Sequence, residues 1–299
     1  MVGVSTTTEE AGVSLDPYRV ALYAVLGGLL VFFLAPIETG IVTSFKTTDA
    51  VSSTSPVVPV FGEGFTLSNY ATAVQELGGG MVNSLLYAVP ATALSALLGS
   101  FAAYGLTLVD WRGQVGVLLL FVAGIFIPYQ AVLVPLTQFF TILGLATLPV
   151  WDLLGISAAY SGIVELIITH TAYGIPICTV LFRSYYKGMS EEMMESARLD
   201  GASVRRVYRR IVFPLSTPMF AVVLIYQFTQ IWNDLLFALV LVQAESSPAA
   251  PVTLILAGLG ASQSGTIFGL RMAGAFVAAL PTLAVYVLFG EEFAKGVAT

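Results

Sequence analysis

The chain has 299 residues, of which 57% are hydrophobic and only 10% are charged, and its formal net charge is −6. Soluble domains carry about 25% charged residues, so most of this surface requires the lipid bilayer as its solvent. The acidic balance excludes nucleic-acid binding through a basic patch.

The N-terminal segment, residues 1–17, is polar and contains Glu9 and Glu10. It lacks the basic region and the small-residue cleavage site of a signal peptide. We therefore expect a disordered cytoplasmic tail.

Six apolar runs follow, each long enough for the roughly 20 helical residues that cross a bilayer. None of them alternates as a β-barrel strand does, so the sequence predicts an all-α membrane protein with six transmembrane helices. The runs are Tyr18–Phe45, Met81–Val109, Val115–Phe140, Ala159–Phe182, Pro218–Val242 and Leu270–Phe289. They define a transmembrane domain over residues 18–290, and residues 291–299 form a C-terminal cytoplasmic tail.

The connections between the runs set the orientation, because lysines and arginines stay on the cytoplasmic side. With the N-terminus inside, the inner segments hold ten basic residues and the outer segments hold two, Lys46 and Arg271. Both termini are therefore predicted to be cytoplasmic. Three of the twelve basic residues are lysines, and this acidic, lysine-poor balance fits a high-salt cytoplasm and chance equally well.

The outer connections differ in character. Residues 46–80 form a long loop that ends in a short amphipathic stretch, Leu67–Leu77, and residues 141–158 form a second loop. The third, residues 243–269, contains an apolar patch at Val252–Leu259. This patch is too short to span and is predicted to be interfacial or re-entrant.

The fourth run contains the only cysteine, Cys178, and the only histidine, His170. One cysteine supports neither a disulfide framework nor a thiolate metal site. One histidine is too few for a zinc or haem site, so we expect no metal.

The inner segment at residues 183–217 holds seven of the twelve basic residues. Ser190 is a good helix N-cap, Gly201 is a natural helix stop, and a second helix is predicted to begin near Ser203. Apolar residues fall on one face of each short helix. These faces comprise Met193, Met194 and Ala197, then Val204, Val207, Tyr208 and Ile211, with Arg205, Arg206, Arg209 and Arg210 on the other side. Pro214 and Pro218 mark the start of span five.

Two functions fit a pair of short helices that meet at a glycine corner beneath the membrane. The arginines suit contact with anionic lipid headgroups, and the exposed faces suit docking of a cytoplasmic partner. Composition alone favours the lipid contact, because basic segments next to the membrane commonly orient the topology.

The pattern Glu195-Ser196-Ala197-x3-Gly201-x9-Ile211-x-Phe213-Pro214 resembles the EAA signature of ABC importer permeases. That signature reads Glu-Ala-Ala, three residues, Gly, nine residues, Ile, one residue, Leu, Pro. Both spacings match, while Ser196 replaces alanine and Phe213 replaces leucine. Further segments resemble the sugar-importer branch, and in particular the smaller permease of the maltose-type pair. They are Asp200-Gly201-Ala202-Ser203, Phe213-Pro214-Leu215, Trp232-Asn233-Asp234, Asn69-Tyr70, Asn83-Ser84, Leu280-Pro281 and Lys295-Gly296.

This resemblance implies a type I ABC importer permease fold in the cell membrane, and a non-catalytic subunit that forms half of a sugar pathway. It implies that residues 183–217, called the coupling loop below, bind an ATPase. The implied coupling residues are Glu195, Ser196, Ala197, Asp200, Gly201, Ala202, Ile211 and Pro214. The implied partners are a second, different permease, two ATPase subunits that bind ATP and Mg, and an extracytoplasmic solute-binding protein. This chain itself has no G-x-x-x-x-G-K-[ST] loop, so we expect no cofactor bound to it.

Three acids within or near spans, Glu38, Glu165 and Asp234, suggest an alternative, an ion-coupled secondary transporter that binds a cation. They are explained as well by positions near span ends, in an aqueous cavity or in pairs across helices. We favour that explanation because the sequence indicates no matched pair of broken helices at a midplane site. An intramembrane enzyme is the third class, and His170 has no second histidine to work with.

Aromatic residues in the spans suit stacking on sugar rings, but helix packing or interfacial anchoring explains most of them. They include Tyr87, Tyr104, Tyr129, Tyr160, Tyr173, Tyr226, Phe228 and Trp232. In the maltose-type pair the better-known sugar contacts belong to the other permease, so no substrate ligand is assigned. A sugar is expected, and the sequence does not separate it from a polyol or glycerol phosphate.

Overall fold

The computed structural model describes residues 17–109, 111–262 and 265–297, and the side chains of these residues except Glu191, Ser262 and 291–297. The predicted N-terminal tail therefore lies outside the described residues, apart from Pro17.

Helices make up almost the whole described chain. The first half forms α1 (Pro17–Ser44), α2 (Thr48–Ser53), α3 (Ser68–Gly105), α4 (Gln114–Ile125), α5 (Tyr129–Leu143), α6 (Val150–Leu154) and α7 (Ser161–Tyr186). The second half forms α8 (Glu191–Leu199), α9 (Val204–Val207), a π-helix (Tyr208–Val212), α10 (Phe213–Leu215), α11 (Thr217–Trp232), α12 (Leu236–Leu241), α13 (Val252–Gly258) and α14 (Phe268–Val297). Short 3-10 turns lie at Gly62–Gly64, Leu145–Thr147 and Ala158–Tyr160. The antiparallel hairpin of β1 (Ala261–Ser262) and β2 (Gly265–Thr266) precedes α14.

The long apolar helices account for the predicted crossings. Five candidate spans are formed by α1, α3, α5, α7 and α14 with their short extensions. A sixth comes from the segment Val204–Leu215 together with α11, a pair bent by 74°. The all-α membrane fold is thereby confirmed.

Span three is not the continuous helix that was predicted over Val115–Phe140. Helix α4 ends at Ile125, and Pro128 adopts extended backbone before α5 begins at Tyr129. A proline disfavours helical backbone in the residue before it and has no N–H for the helical ladder. Pro128 thus contributes to the break, although Pro135 in the same predicted span lies inside α5 without interrupting it.

Span five, predicted as Pro218–Val242, is also broken. Helix α11 ends at Trp232 and α12 begins at Leu236. The carboxylate of Asp234 accepts a hydrogen bond of 3.0 Å from the backbone N–H of Phe237. A short polar side chain that bonds nearby backbone in this way competes with a continuous helix and favours a new helix start.

The two breaks lie against each other in the bundle. The ring of Tyr129, just after the first break, packs 5.0 Å from the ring of Phe237, just after the second. The two interruptions were not predicted, because hydropathy averages over the few residues that interrupt each helix. The absence of a matched pair of broken helices at a midplane site stays a prediction.

The amphipathic stretch Leu67–Leu77 was expected to be a short element at the end of the outer loop. It instead belongs to the start of the 38-residue helix α3. Three consecutive glycines, ending with Gly80, lie within this helix without interrupting it. A Cβ at Gly80 would lie 2.7 Å from Cδ1 of Ile255 and 3.1 Å from the backbone of Val252. These contacts indicate that Gly80 lets α13 pack closely on an unbroken α3.

The apolar patch Val252–Leu259 forms the seven-residue helix α13, which is too short to cross a bilayer. The amide of Asn83 donates to two carbonyls just before α13, each at 2.9 Å, and one of them belongs to Ala250. The hydroxyl of Ser84 accepts from the N–H of Val252 at 2.9 Å. The Asn83-Ser84 pair thus holds α13 against the side of α3.

Helices α3 and α7 pack closely at the centre of the bundle. A Cβ at Gly99 would lie 2.4 Å from the Cβ of Cys178, and one at Gly174 would lie 2.4 Å from the hydroxyl of Ser95. Small residues permit such close approach of two membrane helices. Neither helix has room to shift toward the other, so the α3–α7 pair forms the closely packed centre of the bundle.

Candidate functional site

The first helix of the coupling loop, α8, is fixed at its N-terminus by Ser190. The Ser190 hydroxyl oxygen accepts a hydrogen bond of 3.2 Å from the N–H of Met193, as expected of an N-cap. The same hydroxyl donates to the carboxylate of Glu192 at 2.8 Å. This hydrogen bond holds the pKa of the exposed Glu192 carboxyl below its usual value.

The end of α8 is fixed by Gly201, which has φ +74°. The N–H of Gly201 donates to the carbonyl of Arg198, and the N–H of Ala202 donates to that of Ala197, both at 3.0 Å. This pair of bonds defines a Schellman motif, whose left-handed residue is normally glycine. Ser203 then caps α9 through its side chain.

The second helix packs as its apolar stripe predicted, with one exception. Val207 and Tyr208 are buried, and Ile211 packs against the same cluster. The side chain of Val204 is instead 56% exposed. Its carbonyl, not its side chain, contacts α3, because it accepts a 3.0 Å hydrogen bond from the hydroxyl of Tyr104.

The predicted coupling residues divide into an exposed set and a partly buried set. The exposed set is Glu195, Ser196, Asp200, Gly201 and Pro214, and the partly buried set is Ala197, Ala202 and Ile211. On the other side of α8, Met194 is 4% exposed and belongs to the cluster that contains Tyr186 and Tyr208. The loop therefore presents an exposed edge on a base that is packed into the bundle.

One exposed residue of this edge was missed in the sequence. Leu199 lies at the end of α8 and is 89% exposed. A large apolar side chain that projects between Arg198 and Asp200 suits a contact with another protein. Sequence reasoning overlooked it because it belongs to neither apolar face.

The three intramembrane acids lie in separate environments. Glu38 is exposed on α1, and Glu165 lines a cavity of about 530 Å³ at the end of the bundle opposite the coupling loop. The Asp234 carboxylate lies 3.6 Å from Nε2 of His170, and both side chains are less than 10% exposed. Among the described residues, no three His, Cys, Asp or Glu side chains are grouped to hold a metal ion.

His170 belongs to an aromatic cluster at the span-five break. Its ring stacks on Tyr87 at 5.6 Å and meets Phe237 edge-on at 5.3 Å. Nearby, the indole N–H of Trp232 donates to the carbonyl of Ala278 at 2.9 Å and ties α11 to α14. Tyr87 and Trp232 thus serve helix packing, as expected for most of the aromatics.

A polar stripe follows one face of α11 up to this break. Tyr226, Gln230 and Asn233 lie at helical spacing and are all exposed, and the Gln230 amide donates to the Tyr226 hydroxyl at 3.3 Å. Exposed polar groups are unfavourable in lipid. This face therefore suits an aqueous pathway or a second membrane subunit.

A helical membrane bundle with a capped helix pair projecting from one end, and a polar stripe on an interrupted span, is the arrangement expected of a transport permease. Residues 95–290 match the family described as binding-protein-dependent transport system inner membrane component. The chain belongs to this family.

Curated relatives cover nearly the whole chain. A xylose/arabinose import permease protein of Haloferax volcanii is 53% identical over 285 residues, which are 94% of this chain and 92% of that protein. A probable ABC transporter permease protein of Pyrococcus horikoshii is 41% identical over 283 residues, 94% of this chain and 96% of that protein.

A solved structure shares the fold. It comes from a bacterial ABC transporter involved in the import of the acidic polysaccharide alginate, and it matches with a TM-score of 0.70 and 19% identity over 92% of this chain and 96% of that one.

Family membership confirms the resemblance drawn from the coupling loop. The chain is a multi-pass membrane subunit of an ABC importer and is not itself an enzyme. ATP hydrolysis and solute capture belong to separate chains, an ATPase and a solute-binding protein. The comparisons give no support to the ion-coupled alternative.

Proposed function

We propose that this chain forms half of a sugar pathway and couples it to a cytoplasmic ATPase through the exposed edge of α8 and the Gly201 corner. The observation that carries the proposal is the geometry of α8. This helix is capped at both ends, is packed on one face through Met194, and presents Glu195 and Leu199 outward. A recognition element fixed before binding loses little conformational entropy when a partner docks.

The proposed pathway lies along the polar stripe Tyr226, Gln230 and Asn233. Hydroxyl and amide groups suit hydrogen bonding to sugar hydroxyls, and an aromatic ring suits stacking on a sugar ring. The relative from Haloferax volcanii is named for xylose and arabinose, so pentoses are the first substrates to test.

The proposed complex contains a second, different permease, two ATPase subunits with bound ATP and Mg, and a solute-binding protein on the opposite side of the membrane. Both termini are proposed to be cytoplasmic, with the coupling loop on the same side. The arginines concentrated in this loop support that orientation.

Reconstitution tests the proposal. The purified chain alone should neither hydrolyse ATP nor import sugar. With the ATPase, the second permease and the binding protein in liposomes, it should import labelled D-xylose or L-arabinose in an ATP-dependent manner. Parallel assays with an α-glucoside, a polyol and glycerol phosphate identify the substrate class.

Two results would contradict the proposal. ATP turnover by the single chain would place the nucleotide site here. Uptake that follows an imposed ion gradient without ATP would instead favour the secondary-transporter alternative with Glu38, Glu165 and Asp234.

A further inference from the structure

Three buried hydroxyl groups from distant parts of the chain meet beneath the coupling loop. The Oγ atom of Ser100 on α3 lies 2.6 Å from Oη of Tyr186 on α7 and 2.7 Å from Oη of Tyr208 in the π-helix. Ser100 and Tyr186 are 0% exposed and Tyr208 is 7% exposed. We call these three residues the hydroxyl joint.

The joint is a connected network. Each hydroxyl carries one hydrogen, so Ser100 can accept from one tyrosine and donate to the other. Tyr186 has a further hydrogen bond with the buried hydroxyl of Ser216. Because the site is buried, the Tyr208 hydroxyl has no ready access to replacement water when Ser100 is removed, and its desolvation is not offset. Both tyrosines fall within residues 183–217, but Tyr186 still belongs to the last turn of α7. The loop side of this network is therefore Tyr208, and the bundle side is Ser100 with Tyr186.

The bundle side is rigid. Ser100 directly follows Gly99, whose missing side chain lets α3 touch α7 at Cys178. Tyr186 is the last residue of α7. Two of the three hydroxyls therefore belong to the closely packed α3–α7 pair, and a displacement of Ser100 displaces both helices together.

The loop side lies where the backbone departs from regular helix. Tyr208 begins the π-helix Tyr208–Val212, and the segment that contains it meets α11 at a bend of 74°. Single π-turns within helices often occur at functional sites. The ring of Tyr208 is further held by Phe101 at 4.7 Å and Tyr104 at 5.3 Å, both on α3.

We infer that the hydroxyl joint transmits movement of the coupling loop to the α3–α7 pair, with Tyr208 and Ser100 as positioning residues. The inference rests on the proposed docking of the ATPase to α8. Docking needs the exposed edge near Gly201, whereas transmission needs the buried hydroxyls, so the two roles are separable by mutation.

The test uses the assembled transporter with all partner chains. Cys178 is replaced by alanine, and Gln230→Cys on the polar stripe of α11 provides one reporter thiol. The rate of its labelling by a hydrophilic maleimide is measured with and without ATP, beside co-purification of the ATPase. This readout requires no knowledge of the transported sugar.

Tyr208→Phe and Ser100→Ala should each leave ATPase co-purification unchanged but reduce the ATP-dependent change in labelling by about fivefold or more. The double variant should be no worse than Ser100→Ala alone, because Ser100→Ala already removes the hydrogen bond that Tyr208→Phe removes, together with the one to Tyr186. Tyr70→Phe is the matched control. It removes a tyrosine hydroxyl that lies 2.8 Å from the Ser44 hydroxyl, at the opposite end of the bundle, and should behave as the unmodified complex.

A full ATP-dependent change in Tyr208→Phe would overturn the inference, as would additive effects in the double variant. Failure of both single variants to assemble would also overturn it, since the hydroxyls would then maintain the fold and not the linkage. A failure of the proposed function gives a different result. If α8 and the Gly201 corner do not dock the ATPase, the Gly201→Val variant should still co-purify with it.

Discussion

Replacing Gly201 by valine tests the coupling loop at the residue whose backbone conformation is most restricted. Gly201 has φ +74°, and a Cβ built on it would have no atom within 4 Å. The cost therefore arises from the backbone conformation and not from a clash. Left-handed backbone costs a residue with a Cβ about 1–2 kcal/mol, roughly a factor of 5–30 in population, and a β-branched residue costs more. We expect Gly201→Val to weaken ATPase docking by at least this factor while membrane insertion stays near normal.

A series of substitutions at Gly201, with a matched variant at Gly105, provides the control for the docking assay. Gly201→Asn should be tolerated best, because asparagine adopts left-handed backbone more readily, with alanine intermediate and valine worst. Gly105→Val is the matched control, since Gly105 also has open space around its Cβ position but no positive φ. ATPase co-purification and sugar uptake are measured beside expression. Full activity of Gly201→Val, or equal losses in both valine variants, would refute the argument from backbone strain.

Three further predictions concern the bundle. Asn83→Leu removes two hydrogen bonds of 2.9 Å to loop carbonyls and should destabilise the protein by about 1–3 kcal/mol. An unchanged thermal unfolding midpoint in detergent would contradict the role of this amide. Gly99→Ala places a Cβ 2.4 Å from the facing Cβ of α7 and should cost about 1–3 kcal/mol. Gly116→Ala, with open space, should cost nothing, and equal unfolding midpoints for the two would argue against close α3–α7 packing. In a cysteine-free background on intact cells, an impermeant thiol reagent should label Ser55→Cys but not Ser203→Cys, and labelling of the second would reverse the predicted orientation.

Sequence patterns that involve only a few neighbouring residues, such as helix caps and apolar stripes, correctly predicted the local structure of the coupling loop. Ser190 and Gly201 bound α8 as expected, because an N-cap and a left-handed stop each depend on backbone groups two to five residues away. The apolar stripe that contains Val207 and Tyr208 is buried for a similar reason, since helical periodicity places these residues on one face.

The span breaks were missed although their causes are visible in the sequence. Pro128 and Asp234 each interrupt a helix within an apolar run whose average hydropathy remains high. A count of apolar residues detects whether a segment belongs in the membrane, but it does not detect where the backbone ladder stops. A search for prolines would have marked Pro128, but it would equally have marked Pro36, Pro90, Pro135, Pro176 and Pro281, all of which lie inside continuous helices. Which proline interrupts its span therefore depends on the surrounding packing and not on the residue type alone.

Helical periodicity in the sequence could not have predicted the hydroxyl joint. Ser100 and Tyr208 are separated by 108 positions, and each alone is an ordinary buried residue of an amphipathic or apolar helix. Periodicity predicted that Tyr208 is buried, but it carries no information about which helix covers it. That information depends on the packing of α3 against α7, where Gly99 brings the backbones together and places Ser100 within reach of both tyrosines. The proposed coupling between the loop and the spans thus depends on a long-range contact that only the assembled fold creates, while the proposed docking edge on α8 depends on local signals that the sequence already contains.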